Sequence, residues 1–389
     1  MKYIVVLGDG MADEPLEELG GQTPLEYADT PNMDLVAREG RCGLLKTVPD
    51  GFEPGSDVAN LSVLSYDPRT CYTGRGPLEA ASMGVDLGPS DYAYRFNLVT
   101  LREGVMEDFN AGHISSEEGA ALISTLAVPG ADLHPGVSYR NLMVVHEGEG
   151  SKTTPPHDIV GQAVAPYLPE GGDAPLLARC MEAAEAAFAN HPVNRARTAA
   201  GKLPATTIWP WSGGKRPAVP DFTERWGLAG GMISAVDLLN GIAKYAGMEV
   251  VQVPGATGFI DTDYQAKARY AIKAIEHLDF IYIHVEAPDE AGHMGSVEEK
   301  VKAIEGVDGL LGTVLDHFDG AIALLPDHPT PVRLKTHTSN PVPFAVLGHG
   351  ADSTQVYSES EATKGAYGLR ESADLLPLLF GRKSVERPE

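Results

Sequence analysis

Apolar positions along this chain follow two alternating periods. Short runs rich in β-branched and aromatic residues, at 3–7, 43–48, 231–235, 250–253, 278–285 and 321–325, read as strands. Stretches with apolar residues three and four apart, at 32–39, 57–64, 236–245, 262–276 and 298–315, read as helices. Strands spaced by amphipathic helices predict a mostly parallel sheet wrapped on both faces. Between about 88 and 201 the pattern changes. Strands at 92–101 and 138–145 and helices at 115–126 and 174–189 surround a Gly/Pro-rich connection at 166–175, which suggests an inserted α/β domain. The expected division is therefore a discontinuous domain, 1–87 with 202–389, and an insert, 88–201. The polar tail 384–389 reads as loose, and there are no internal repeats.

The ends of the strands carry the chemistry. The first run stops in Gly8-Asp9-Gly10, and the run at 321–325 breaks off into Asp327-His328. His337 follows in a proline-rich loop, and Asp289 with His293 lies just after the run at 278–285. Ligands of open α/β sheets bind at the carboxyl ends of the strands. Carboxylates mixed with imidazoles suit zinc, manganese or a related divalent ion better than an all-oxygen calcium cage. Asp289 and His293 are four apart and share a face if their segment is helical, although Gly292 and Gly295 leave a loop open. Ser56 sits where a helix starting at Asp57 needs an N-cap, and backbone N–H groups there would favour an anion beside its oxygen. Each residue alone has a plain reading as turn former, cap or surface pair. Together they make enough donors for two ions about 4 Å apart, the arrangement that clamps both oxygens in phosphoryl transfer.

Composition narrows the reading. The formal net charge of −24 disfavours a nucleic-acid partner, and would repel a phosphorylated metabolite unless the site supplies local positive charge. No apolar run reaches the length of a bilayer span, so no membrane partner is expected. Asp9 and Asp13 fall where a signal peptide would stay apolar, and three scattered cysteines argue for a reducing compartment, hence the cytoplasm. Assembly into a homo-oligomer is left open. There is no Gly-x-x-x-x-Gly-Lys phosphate loop, no Gly-x-Ser-x-Gly elbow and no CxxC pair.

Several segments together resemble a known family: Pro54-Gly-Ser-Asp-Val-Ala-Asn-Leu61, Pro288-Asp-Glu-Ala-Gly-His293, and Pro326-Asp-His328 with Thr336-His-Thr-Ser-Asn-Pro-Val-Pro343. So do Tyr72-Thr-Gly-Arg-Gly-Pro-Leu-Glu79, Asp108-Phe-Asn-Ala-Gly-His-Ile114, Ser138-Tyr-Arg-Asn141 and Val253-Pro-Gly-Ala-Thr-Gly258. Over nearly its whole length the chain is similar to archaeal-type cofactor-independent phosphoglycerate mutases of the alkaline-phosphatase superfamily, whose bacterial relatives include proteins proposed as homoserine kinases. The resemblance implies an alkaline-phosphatase-like sheet and interconversion of 2- and 3-phosphoglycerate without bisphosphoglycerate. Ser56 would become a phosphoserine. Asp289, His293 and His337 would hold one divalent ion (Mn²⁺, Zn²⁺ or Mg²⁺), and Asp9, Ser56, Asp327 and His328 the other. Arg75, Arg95 and Arg140, with Asp108, His113 and His157, are the candidates for binding substrate in the insert.

One departure stands out. Glu286 occupies a position where the better-known bacterial mutases carry a small residue and archaeal members often a basic one. A carboxylate there would disfavour an extra anionic group and could hydrogen-bond a hydroxyl or ammonium. The alternatives are therefore phosphoryl transfer or hydrolysis on another small phosphate ester, including a homoserine-directed role, and a non-catalytic metal-binding protein of the same fold.

Overall fold

In the computed structural model, which describes residues 1–382, the apolar runs assemble into an eight-stranded sheet. The expected tail at 384–389 lies outside the described residues. The strand order is Glu249–Val250, Gly230–Ile233, Phe280–Val285, Tyr3–Gly8, Ala321–Leu325, Val342–Leu347, Arg41–Lys46 and Gly368–Glu371. All neighbours are parallel except Val342–Leu347, which runs antiparallel to both its partners. Pro341 and Pro343 hide that strand in the sequence, because proline within a run demotes it. The expected strand at 250–253 shrinks to Glu249–Val250.

The central strands explain where the chemistry gathers. Tyr3–Gly8 is buried along its whole length, as a parallel strand covered on both faces must be. Its register sets Tyr3 beside Phe280 on one side and Ala321 on the other. Three parallel strands that start level also end level, so Asp9, Glu286 and Asp327 leave the sheet at one edge.

The two faces follow from the period of two. Ile4, Val6, Ile281, Ile283, Ile322 and Leu324 belong to a core shared with the helices Pro31–Glu39, Tyr264–Ala274 and Val297–His317. The alternate residues look the other way. Tyr3 and Phe280 meet Phe380 edge to face, Phe280 stacks on Phe222, and the Tyr282 hydroxyl donates to Asn60 of the helix Ser56–Val63. That face therefore sets the helix carrying Ser56.

Val297–His317, the longest helix, buries Ala303, Ile304, Val307, Leu310, Leu311 and Val314, a stripe at helical spacing. One turn from its start it also buries a charge. Lys300 Nζ reaches Asp13 Oδ2 at 2.7 Å, Thr330 O at 2.8 Å and Ala12 O at 3.2 Å, with both ionic side chains fully enclosed. The loops that follow Tyr3–Gly8 and Ala321–Leu325 are thus tied to one ammonium.

Residues Thr73–Pro217 form a second compact unit, separate from Met1–Tyr72 and the chain beyond Ala218. It is wider at both ends than 88–201. The helix Arg75–Ser82 packs on the strand Tyr92–Arg102, and a further strand, Thr207–Lys215, pairs with the same strand. Pro210, Gly213 and Gly214 kept Thr207–Lys215 from reading as a strand. The unit's sheet is antiparallel throughout, Val105–Asp108, Tyr92–Arg102, Arg140–Val145 and Ala131–His134, with Thr207–Lys215 on the free side of Tyr92–Arg102. Its core gathers Tyr94, Phe96, Leu98, Leu177, Phe188 and Trp209. Among the described residues no helix is long and apolar enough to cross a membrane.

Removing one partner of a buried ion pair strands the other charge, at a cost of about 3–5 kcal/mol. Lys300→Met is expected to lose stability on that scale, read as a lowered urea midpoint. A midpoint equal to wild type would mean the pair does not hold the two loops.

Candidate metal centre

Asp9 and Asp327 each follow a buried strand, and both are fully enclosed, as is His328. The Asp327 carboxylate is held from three directions. Its Oδ1 accepts Gly10 N–H at 3.1 Å and His328 N–H at 2.9 Å, and its Oδ2 accepts the Asn60 amide at 2.8 Å. His328 Nε2 faces Asp9 Oδ1 and Asp327 Oδ2, at 3.5 Å from each. Asp9 Oδ1 has no hydrogen-bond partner.

A second set stands on the helix Ala287–Met294, started by Pro288 and closed by Gly295 at φ 70°. The segment is helical, so Asp289 and His293 do share a face. His293 Nε2 lies 3.2 Å from Asp289 Oδ2, and His337 Nε2 lies 3.4 Å from Asp289 Oδ1. Each imidazole turns its Nδ1 to a backbone carbonyl, His293 to Lys335 at 3.0 Å and His337 to Pro54 at 3.2 Å. A carbonyl can only accept, so both Nδ1 atoms carry the proton and both Nε2 atoms present lone pairs. Those two nitrogens are 2.9 Å apart. Facing lone pairs at that distance require a positive centre between them. In the bare protein a proton can serve, and the bond to Asp289 raises His293 to about 9. A divalent cation serves with all three residues at once.

Ser56 differs from its expected role. It is the first helical residue; Gly55, extended at φ −176°, takes the N-cap position, and no side chain caps the helix. The Ser56 hydroxyl therefore has no cap bond to keep and turns to Asp9 Oδ2 at 3.4 Å and His328 Nε2 at 3.3 Å.

Three groups went unread in the sequence. His284, inside the strand Phe280–Val285, is fully buried with Nε2 3.0 Å from Asp9 Oδ2 and Nδ1 3.6 Å from Glu286 Oε2. The signal was there: a lone imidazole in the run Phe-Ile-Tyr-Ile-His-Val has to meet a polar partner. Asn60 and Thr330, both enclosed, bind Asp327 and Asp289 respectively. Burial drives the local electrostatics. It raises Asp9 well above the carboxylate range, helped by Asp327 and Asp289, and lifts Glu286 to about 8. Burial also pushes His284 down to about 3 and Lys267, whose Nζ donates to His284 O, down to about 8. This is a dense patch of enclosed carboxylates short of positive charge. It could hold Asp289–His293–His337 around one divalent ion and Asp9–Asp327–His328 around another; a further grouping, Asp9–His284–Glu286, shares Asp9 with the second.

The second unit collects its own cationic cluster. Arg95, on Tyr92–Arg102, lies over the Trp211 ring at 4.2 Å, with Nε 2.8 Å from Glu79 Oε1 but out of line for a hydrogen bond. Burial lowers its pKa, and Arg75 and Arg140 are near enough to lower it further. Arg140 stands over the Tyr139 ring at 5.1 Å. His157 meets Trp211 and Phe109 edge to face; burial depresses its pKa, and Arg95 and Arg75 add to that. Asp108 is committed to a turn, its Oδ1 accepting the N–H groups of Asn110 and Gly112. His113 is exposed in left-handed backbone at φ 52°.

Comparison with known proteins gives a consistent result. A family model described as 2,3-bisphosphoglycerate-independent phosphoglycerate mutase matches residues 37–194. The enzyme of that name from Methanothrix thermoacetophila is 51% identical over 98% of this chain and all of its own length. A relative from Methanosarcina mazei with the same name is 47% identical over 98% of this chain. Among solved structures, a Pyrococcus horikoshii protein aligns with TM-score 0.86 at 32% identity, covering 100% of this chain and 99% of its own. A cofactor-independent phosphoglycerate mutase from Thermoplasma acidophilum aligns at 0.69 with 27% identity, covering 98% and 99%.

A cation that binds only the folded chain stabilises it, by about 2.7 kcal/mol at one hundred times its Kd. Thermal unfolding of chelated protein titrated with Mn²⁺ or Zn²⁺ is expected to show a rising midpoint. In His337→Ala the same rise should need at least about tenfold more cation, the scale already seen on losing an outer-sphere partner. A midpoint indifferent to cation, or a variant indistinguishable from wild type, would contradict the assignment.

Proposed function

The chain belongs to the 2,3-bisphosphoglycerate-independent phosphoglycerate mutases, and from that premise we propose that it interconverts 2- and 3-phosphoglycerate through a phosphoserine at Ser56. The observation that carries this reading is the Ser56 hydroxyl, free of any capping bond and directed at Asp9 and His328. In it, Asp289, His293 and His337 hold one divalent ion, and Asp9, Asp327, His328 and Ser56 hold the other. Manganese, zinc or magnesium would suit these donors, with no bisphosphoglycerate. When bound, such ions lower the pKa of the serine hydroxyl and offset the charge of the phosphoryl oxygens.

The chain's own residues supply the rest. Ser56 Oγ attacks phosphorus as the ester bond to the glycerate oxygen breaks, and the departing oxygen takes up a proton. The other glycerate hydroxyl then attacks the phosphoserine, gives up its proton, and restores the Ser56 hydroxyl. Asp9 Oδ2, 3.4 Å from Ser56 Oγ, is placed to accept and return the serine proton. Asn60 and the N–H groups of Gly10 and His328 keep Asp327 in one orientation throughout.

The unit Thr73–Pro217 is the substrate-binding part in this reading. Arg75, Arg95, Arg140 and His157 offer fork and ring donors to a carboxylate or phosphate. Arg95, mostly enclosed between Glu79 and Trp211, supports the cluster, whereas the exposed Arg140 is the arginine proposed to reach substrate. Asp108 and His113 are proposed beside them on the substrate, with Asp108 Oδ1 also accepting the N–H groups of Asn110 and Gly112. Free, buried Cys42, Cys71 and Cys180 suit a reducing cytoplasm. Glu286, the departure that raised other substrates, sets Oε2 3.6 Å from His284 Nδ1 and without a hydrogen-bond partner, so the mutase reading rests on the family and on Ser56 and not on this carboxylate.

Ser56→Ala is expected to bring 3-phosphoglycerate conversion, assayed without bisphosphoglycerate, down to the level of chelated enzyme while the thermal midpoint persists. Sustained turnover in that variant would remove the phosphoserine. Homoserine plus ATP, run in parallel, should give no product. Arg140→Ala is expected to raise KM about 10- to 100-fold, the worth of one charge-assisted hydrogen bond. Unchanged KM would move the anion contact elsewhere.

A further inference from the structure

One fully buried side chain touches both donor sets. Thr330 Oγ1 donates to Asp289 Oδ1, a member of the first set, and lies 3.3 Å from Nδ1 of His328, a member of the second. A hydroxyl has a single proton, and an ionised carboxylate can only accept. The Thr330 proton is therefore spent on Asp289, and the contact with His328 must run from Nδ1–H to Oγ1. That assignment leaves the His328 lone pair on Nε2, the atom facing Asp9, Asp327 and Ser56. Thr330 thus sets the tautomer of one set's imidazole and the orientation of the other set's carboxylate through one oxygen.

The surroundings are shaped to keep this residue in place. Its N–H donates to Ala12 O at 3.2 Å and its carbonyl accepts from Lys300 Nζ at 2.8 Å. Two glycines make the room. A Cβ on Gly10, at φ +60°, would sit 2.5 Å from Thr330 Oγ1 and 2.6 Å from Asp289 Oδ1, and a Cβ on Gly292 would sit 2.4 Å from Thr330 O. The first strand's turn, the helix Ala287–Met294 and the loop after Ala321–Leu325 close on Thr330 only because two of them carry no side chain there.

We propose that Thr330 is a positioning residue that couples the two cation sites, so that filling one set preorganises the other. Partners of this kind, one bond removed from the ion, typically contribute 10- to 100-fold in metal affinity. The proposal rests on the two-cation reading above, and not on the identity of the substrate.

The test is a titration of chelated full-length protein with Mn²⁺ against a competing chelator dye, for wild type, Thr330→Val and Thr330→Ser. Serine keeps the hydroxyl and should reproduce the wild-type two-ion curve. Valine keeps the branch and loses the oxygen, so both ions should bind about 10- to 100-fold more weakly and without mutual dependence. A valine curve that matches wild type, or weakens at one site only, overturns the coupling. Should the valine variant fail to fold, ¹⁵N-imidazole NMR of the wild-type protein decides: His328 protonated on Nδ1 supports the proposal, and protonation on Nε2 overturns it. A protein that shows the threonine dependence yet leaves phosphoglycerates unchanged would refute the mutase reading alone.

Discussion

Enclosed negative charge at one edge of the central sheet is the constraint on which the rest depends. Asp9, Asp289 and Asp327 are buried there, with Glu286 mostly so, in a medium where each unpaired carboxylate carries a penalty of several kcal/mol. The chain meets part of that cost with neutral donors: the N–H groups of Gly10 and His328, the Asn60 amide and the Thr330 hydroxyl. None of these cancels charge. Asp9 Oδ1 and Glu286 Oε2 remain without hydrogen-bond partners, and the Nε2 atoms of His293 and His337 face each other. Folding thus builds an unmet demand for positive charge, and the proposed affinity for divalent cations would be that demand expressed as binding. Lys300 shows how the chain avoids meeting it prematurely. Its ammonium is spent on Asp13 and on the carbonyls behind the loops, which fixes their geometry without entering the donor sets.

This constraint explains what could be read from the sequence. Asp9, Asp289, Asp327 and His328 stood out because apolar runs stop shortly before them and parallel strands deliver their carboxyl ends to one edge, and His337 because it follows in the proline-rich loop after the last of those runs. His284 signals only that it needs a polar partner: it lies inside such a run, and that partner, Asp9, follows a neighbouring strand. Thr330 reads as an ordinary residue of a Pro-Thr-Pro loop, since nothing local marks a hydroxyl that bridges two distant segments. Ser56 was read one position off as structure, as a cap where the helix in fact opens. A serine before a helical pattern has the same signature whether it caps the helix or opens it, and only the backbone of Gly55 separates the two. The inserted unit was legible as a change of pattern, but its edges were not. Thr207–Lys215 carries proline and paired glycines that mask a strand, and its pairing lies more than a hundred residues away in sequence.

The position of Ser56 has a consequence for the reaction. An N-cap hydroxyl is engaged with a backbone N–H, a bond worth about 1 kcal/mol that a nucleophile would have to give up. With Gly55 at the cap, the helix Ser56–Val63 forgoes that bond, and Ser56 Oγ stays available. The same loop orients the His337 ring, a proposed metal donor, since Pro54 O accepts from His337 Nδ1. In the proposed mechanism, nucleophile and ligand would therefore be set by three consecutive residues, and a shift of the loop would disturb both together.

The net charge of −24 then bears on rate rather than on affinity. At physiological ionic strength the Debye length is about 8 Å, so the field of distant surface carboxylates is largely screened before an anionic substrate arrives. In the proposed mechanism, cations held within bonding distance and an arginine such as Arg140 on the ligand would act inside that length and be screened far less. An acidic surface can thus slow the approach of phosphoglycerate while a small cationic interior still binds it. Raising the salt concentration would weaken the surface repulsion more than the contacts at the site, the opposite of the salt dependence of a protein that attracts its substrate over long range.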